Sequence, residues 1–252
     1  MKKITNRKFV NSVKVDWSYD DLIKGIELPK KLPKDLNQYD QAYFFTEDKR
    51  IVQGFLYLHE NKPVIIPEPE PSILYFINAE RVLNDILCIR KEIFSSLGLE
   101  NANKIDLLFS DFFIISFNYI INLFAAIEAF NNSTIPEEFT YRDKKRLLDR
   151  EKIQRFTKFD LKVEKIIPQI FNKSFIESFN EKYILICELK SIRDNLIHTK
   201  NHSKNWAASY RDIYRKLLQF DFKNAYNFTK DYMNYYKEGW IEEVEINTKH
   251  NT

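Results

Sequence analysis

The sequence predicts an all-α protein, a helical bundle over residues 71–252 preceded by a mixed or irregular N-terminal portion, residues 1–70, with room for a small β-hairpin. Three observations carry this. Glycine and proline are scarce, four and eight in 252 residues, and five of the prolines crowd between Pro29 and Pro69, so long uninterrupted elements belong later in the chain. Beyond Ser72, apolar residues recur at three- and four-residue steps. Before it, short apolar runs alternate with charged or proline-bearing stretches.

Within the first 70 residues, IVQGFLYLHENKPVII is patterned as a hairpin turning at His59, Glu60, Asn61 and Lys62. The role of this extension is not readable from its residues. Ser72 is placed to cap a first long helix, with Leu74, Ile77, Val82, Leu83, Ile86, Ile89 and Ile93 on its apolar side and Gly98 as its stop. A second helix, about 105 to 131, is apolar nearly all round and so belongs at the bundle centre. Pro136 closes the region after it. Residues 142–158 hold eight basic side chains against three acidic ones, and a third helical element follows at roughly 160–170. A fourth begins near Phe175 or Asn180 and carries Leu185, Leu189, Ile192 and Leu196 as a core-facing stripe. The polar run TKNHSKN, 199–205, closes it, and one last helix spans about 206–236.

Composition bounds the function. An apolar content of 44% suits an ordinary core, and a net charge of +3 is too small to mark a nucleic-acid binder by bulk charge, so any polyanion site must come from local clustering. Cys88 and Cys187 stand apart from each other and from histidine, which suggests neither a disulfide framework nor a zinc site, and both read as buried thiols. No metal or other cofactor is expected. The basic start lacks an apolar run behind it, and residues 112–127 fall short of the roughly 20 needed to span a bilayer. The expectation is a cytoplasmic protein with no membrane partner.

The stretch SIRDNLIHTKN, 191–201, concentrates chemistry at a helix end. His198 falls in the last turn, where unpaired carbonyls favour an imidazolium by up to about 1 kcal/mol. Asp194 and Asn195 share its side of the helix, while Arg193 lies about 140° away at roughly 100° per residue. Arginine offers a permanent fork for phosphate, histidine a proton acceptor and donor, and Asp or Asn a bond that orients the ring. Such a set can cleave RNA without a metal: the 2′-hydroxyl is the nucleophile, and DNA lacks it. Lys200, His202, Lys204 and Arg211 follow closely enough to hold RNA phosphates. The basic run of Lys144, Lys145, Arg146, Arg150, Lys152 and Arg155 is ordinarily a solvated face, and would extend such a track only if folding placed it beside them. Tyr210 and Tyr214 recur at helical spacing as core or dimer contacts, with Tyr210 able to stack a base.

Arg193-Asp194-Asn195-Leu196-Ile197-His198 resembles the R-[N/H/D]-x-x-x-H signature of HEPN domains, small α-bundles with this motif near the end of a late helix. INLFAAIEAFNNS, 121–133, resembles the early bundle helix of one HEPN branch, and the likeness covers about 105–236. It implies a homodimer whose two-fold axis brings both motifs into one cleft, often a ribonuclease of toxin–antitoxin, abortive-infection or other antiviral systems. Arg193 and His198 would then be the working residues, Asp194 and Asn195 their support, and Glu128 a brace for Arg193. RNA would be the substrate, and an antitoxin or regulatory protein a further partner. The alternative within the same fold is a non-catalytic dimer that binds RNA, a nucleotide or a protein.

Overall fold

The computed structural model describes residues 2–6, 12–14, 42–45, 50–60, 62–96, 102–143, 146–198 and 210–246. The chain divides into two compact units, Met1–Ile73 with Glu242–Thr252, and Leu74–Ile241. The second is helical; the first is built on strands.

In the strand unit, β1 (Lys2–Asn6), β2 (Ser12–Lys14), β3 (Ala42–Phe45), β4 (Arg50–His59) and β5 (Lys62–Pro67) appear in order. The longest, β4, is the hub: β2 and β3 pair with its first half and β5 with its second, all antiparallel. The expected hairpin is β4–β5, with His59 opposite Lys62. Glu60 takes the left-handed φ of 48° that a two-residue hairpin turn of this hand demands of its first residue. At Gly54 the strands approach so closely that a Cβ would sit 2.4 Å from the Ile66 carbonyl oxygen, so only glycine fits there.

Helix α1 (Pro71–Ser95) starts differently from the expectation. Ser72 lies inside the helix, and both its backbone N–H and its hydroxyl donate to the Glu70 carboxylate, with Pro71 as the first helical residue. Proline suits that position because its missing N–H would have no partner there. Helix α2 (Ala102–Ser133) is central: Tyr119, Ile120, Leu123, Phe124, Ala126, Ile127 and Phe130 are all shut from solvent. Its first half is less covered, with Leu107 and Ile114 more than half exposed. Among the described residues this one helix is long and apolar enough to cross a membrane, and 44% of its most apolar window is buried in the protein.

The basic stretch after Pro136 is a short hairpin, β6 (Tyr141–Asp143) with β7 (Arg146–Leu148), then α3 (Arg150–Phe156), capped by Asp149 accepting from the Lys152 N–H at 2.9 Å. Next comes one continuous helical rod: α4 (Phe159–Leu161), a π-helical segment Lys162–Ile166, and α5 (Ile167–Phe171), ended by Asn172 at φ 52°. After the turn α6 (Phe175–Ser178), α7 (Asn180–Ile197) buries Tyr183, Ile186, Leu189, Ile192 and Leu196 against α2 and the last helix, with Leu185 only partly covered.

The single last helix expected over 206–236 is two: α8 (Arg211–Gln219) and α9 (Phe222–Tyr236). Two partners make the break. Asp221 caps α9 through the Asn224 N–H, and Arg90 of α1 donates to the Phe220 carbonyl at 2.7 Å, satisfying an oxygen the helix no longer bonds. Residues 201–209, including Trp206, lie outside the described residues. Around α9, Phe130, Phe175, Tyr232, Tyr235 and Tyr236 form an edge-to-face aromatic cluster, and the buried Tyr232 hydroxyl donates to Asn131 Oδ1. Asn234 holds Ile241 by both its N–H and its carbonyl. The chain then leaves the bundle: β8 (Glu242–Ile246) pairs antiparallel with β1, so the helical unit stops at Ile241 and not at residue 252. The cysteines also differ from expectation, Cys88 being exposed and Cys187 half-buried.

Candidate functional site

The end of α7 is organised by its buried stripe. With Leu189, Ile192 and Leu196 facing the core, Arg193 is carried to the border of α2, and its guanidinium lies 4.4 Å from the centre of the Phe124 ring. One turn further along α2, Glu128 accepts from Arg193 Nη2 at 3.1 Å. Spacing of i,i+4 on α2 therefore gives Arg193 a ring beneath and a carboxylate beside it. Asp194 closes the clamp, accepting from Nη1 at 2.6 Å. Lys190 stands 3.5 Å from both Asp194 and Asp160, so acids and bases alternate from α4 to α2 across α7. Arg193 keeps only 24% of its side chain in solvent.

His198 ends the helix. Its backbone N–H still bonds the Asp194 carbonyl at 3.0 Å, but φ −105° and ψ 45° leave the helical region, and the side chain is exposed. Among the described residues no hydrogen bond joins Arg193 to the imidazole. Nor do the two supports act on the ring. Asp194 is engaged by Arg193 and Lys190, and Asn195 donates backward to the Ser191 carbonyl at 2.6 Å. Lys200, His202 and Lys204 lie outside the described residues. Arg211 opens α8, exposed.

The chain matches no protein-family model, no curated protein and no solved structure. The case for a site therefore rests on its own residues.

Sequence reasoning missed one resident. Lys162, in the π-helical segment, is 6% exposed and donates to Asn132 Oδ1 at 2.9 Å and to the Gln154 carbonyl at 2.8 Å. Burial pulls its ammonium below the usual lysine range, and the Glu128 carboxylate opposes that pull. Glu128 thus acts on two cations, Arg193 and Lys162. A lysine in LKVEKII carries no sign of burial; the partners that satisfy its ammonium, Asn132 and Gln154, come from elsewhere in the chain. Within the basic run, expected as an ordinarily solvated face, Arg146 pairs with Asp143, Lys152 with Asp149 and Arg155 with Glu151, all within four residues. Lys144 and Lys145 lie outside the described residues.

Proposed function

We propose that this chain is a metal-independent endoribonuclease of the HEPN type, working as a homodimer in which the ends of two α7 helices share a cleft. What supports the reading most is the set at that end: a guanidinium held by Glu128, Asp194 and the Phe124 ring, five residues before a solvent-exposed imidazole. In the reaction one His198 takes the proton of the 2′-hydroxyl as that oxygen attacks its own phosphorus. The bond from phosphorus to the 5′-oxygen breaks, and the second copy's imidazolium gives that oxygen its proton. Two-fold symmetry supplies base and acid from one residue type. Arg193, ordered in advance, faces the charge that grows on the phosphorane. A nuclease of this kind needs restraint in its own cell, so a toxin–antitoxin or antiviral setting with a regulatory partner fits the chemistry.

A second reading has one observation in its favour. Two carboxylates already balance the Arg193 charge, which suits a dimer that recognises RNA, a nucleotide or a protein without cutting. A DNA strand carrying a single ribonucleotide separates the two. The nuclease cuts it only at that residue, in EDTA, leaving a 2′,3′-cyclic phosphate. Cutting elsewhere, or only with added metal, defeats the ribonuclease; an intact strand that still binds favours the second reading.

A further inference from the structure

Helix α8 presents two neighbouring stripes at i,i+4 spacing. Tyr210, Tyr214 and Leu218 form one, Arg211 and Arg215 the other, and facing them on α2 are Phe109 and Phe113, also one turn apart. Together they line an open cleft of about 550 Å³. Its aromatic rings form a ladder: Phe109 to Phe113 at 5.7 Å, Phe113 to Tyr214 at 4.5 Å, and Tyr214 to Tyr210 at 6.5 Å. The tyrosines remain 39% and 42% exposed. Among the described residues neither hydroxyl makes a hydrogen bond and Arg211 has no ion pair. Among the described residues the acid that Arg215 meets is Asp212, at 3.9 Å, with a side chain 93% exposed.

We infer that this cleft binds a nucleotide unit, a base stacked on Tyr210 or Tyr214 with its phosphate on Arg211 and Arg215. Flat rings attract the face of any nucleobase, and a rim with unanswered positive charge complements the phosphate attached to it. An uncharged apolar ligand would have no use for the arginines, and a bare phosphate none for the rings. The place also matters. Phe113 and Glu128, the carboxylate beside Arg193, are 15 residues apart on α2, about 22 Å along the axis. A strand of several nucleotides bridges that distance and a mononucleotide does not, so RNA is the expected source of the base. To that extent the inference rests on the ribonuclease reading.

Binding is measured on the full chain carrying His198→Ala, so that cleavage does not consume the probe. The probes are a short fluorescent oligoadenylate, an abasic strand with equal phosphates, and AMP. Adding Tyr214→Ala is expected to weaken oligoadenylate binding on the order of tenfold, while Tyr214→Phe retains it. The abasic strand should be indifferent to Tyr214→Ala. Arg211→Glu, a fully surface change, should weaken both strands. Tyr214-dependent binding of AMP as tight as that of the strand would assign the cleft to the free nucleotide; tighter binding of the strand assigns it to RNA. Oligoadenylate affinity unchanged within about twofold by Tyr214→Ala, or binding of the abasic strand as tight as the adenylate, overturns the inference. Neither result alters cleavage by wild-type protein, and absence of that cleavage would leave Tyr214-dependent binding intact.

Discussion

Arg193 and Arg211 are the same residue type in opposite surroundings. Arg193 is mostly covered and engaged by Glu128, Asp194 and the face of Phe124. Arg211 is exposed at the start of α8, lines a cleft that also holds aromatic rings, and meets no acid among the described residues. A guanidinium fixed by its own chain has its geometry settled and much of its charge balanced; one left open has charge to offer and no fixed position. The first suits a transition state, where placement counts. The second suits a ground-state grip on a phosphate backbone. With a net charge of only +3, where positive charge is left unanswered matters more than how much there is.

Burial, the cause of that difference, also separates the tyrosines, and here the largest effect is expected. Tyr119, Tyr183, Tyr232 and Tyr236 are pushed above the ordinary phenol range mainly by burial, Tyr236 to about 12. Folded protein thus keeps protons that unfolded protein gives up near pH 10. The stability these groups contribute is whole below that pH and is lost as pH rises from about 10 towards the folded values, by about 1.4 kcal/mol per pH unit for each retained proton. Helicity followed by circular dichroism should collapse cooperatively in this range. Unchanged helicity to pH 12 would mean that these phenols are less enclosed than described.

A smaller effect separates the arginines themselves. Arg193→Ala leaves Glu128 and Asp194 without their shared cation and uncovers Phe124, and should lower unfolding free energy in urea by about 2 kcal/mol. Arg211→Ala should stay within about 0.5 kcal/mol of wild type. Equal losses for the two would erase the contrast.

Much of the helical architecture is legible in the sequence because α1 and α7 carry apolar stripes at helical steps and α2 is apolar nearly all round, properties of each segment alone. The β4–β5 hairpin is legible for the same local reason, a turn between two apolar runs. The break between α8 and α9 is not, since it depends on Arg90 reaching Phe220 from another helix. Nor is β8, whose strand forms by pairing with β1 at the opposite end of the chain. At the candidate site, the pairing of Glu128 with Arg193 was implied by the family resemblance and not by the spacing of either helix. The pairing of Asp194 with Lys190 is the i,i+4 contact that their spacing allows, but the turn of Asn195 back to Ser191 was not legible, because several partners compete for that side chain and packing decides among them. Lys162 was hidden for a different reason: a lysine's burial depends on the neighbours that satisfy it, here Asn132 and Gln154.

The most direct measurement is the rate at which purified protein cuts single-stranded RNA in EDTA, wild type beside His198→Ala. Wild type is expected to cleave, and the variant to be slower by roughly 10²- to 10⁴-fold, the range one proton-transfer group supplies, with its fold intact. Equal rates for the two proteins would contradict the ribonuclease reading.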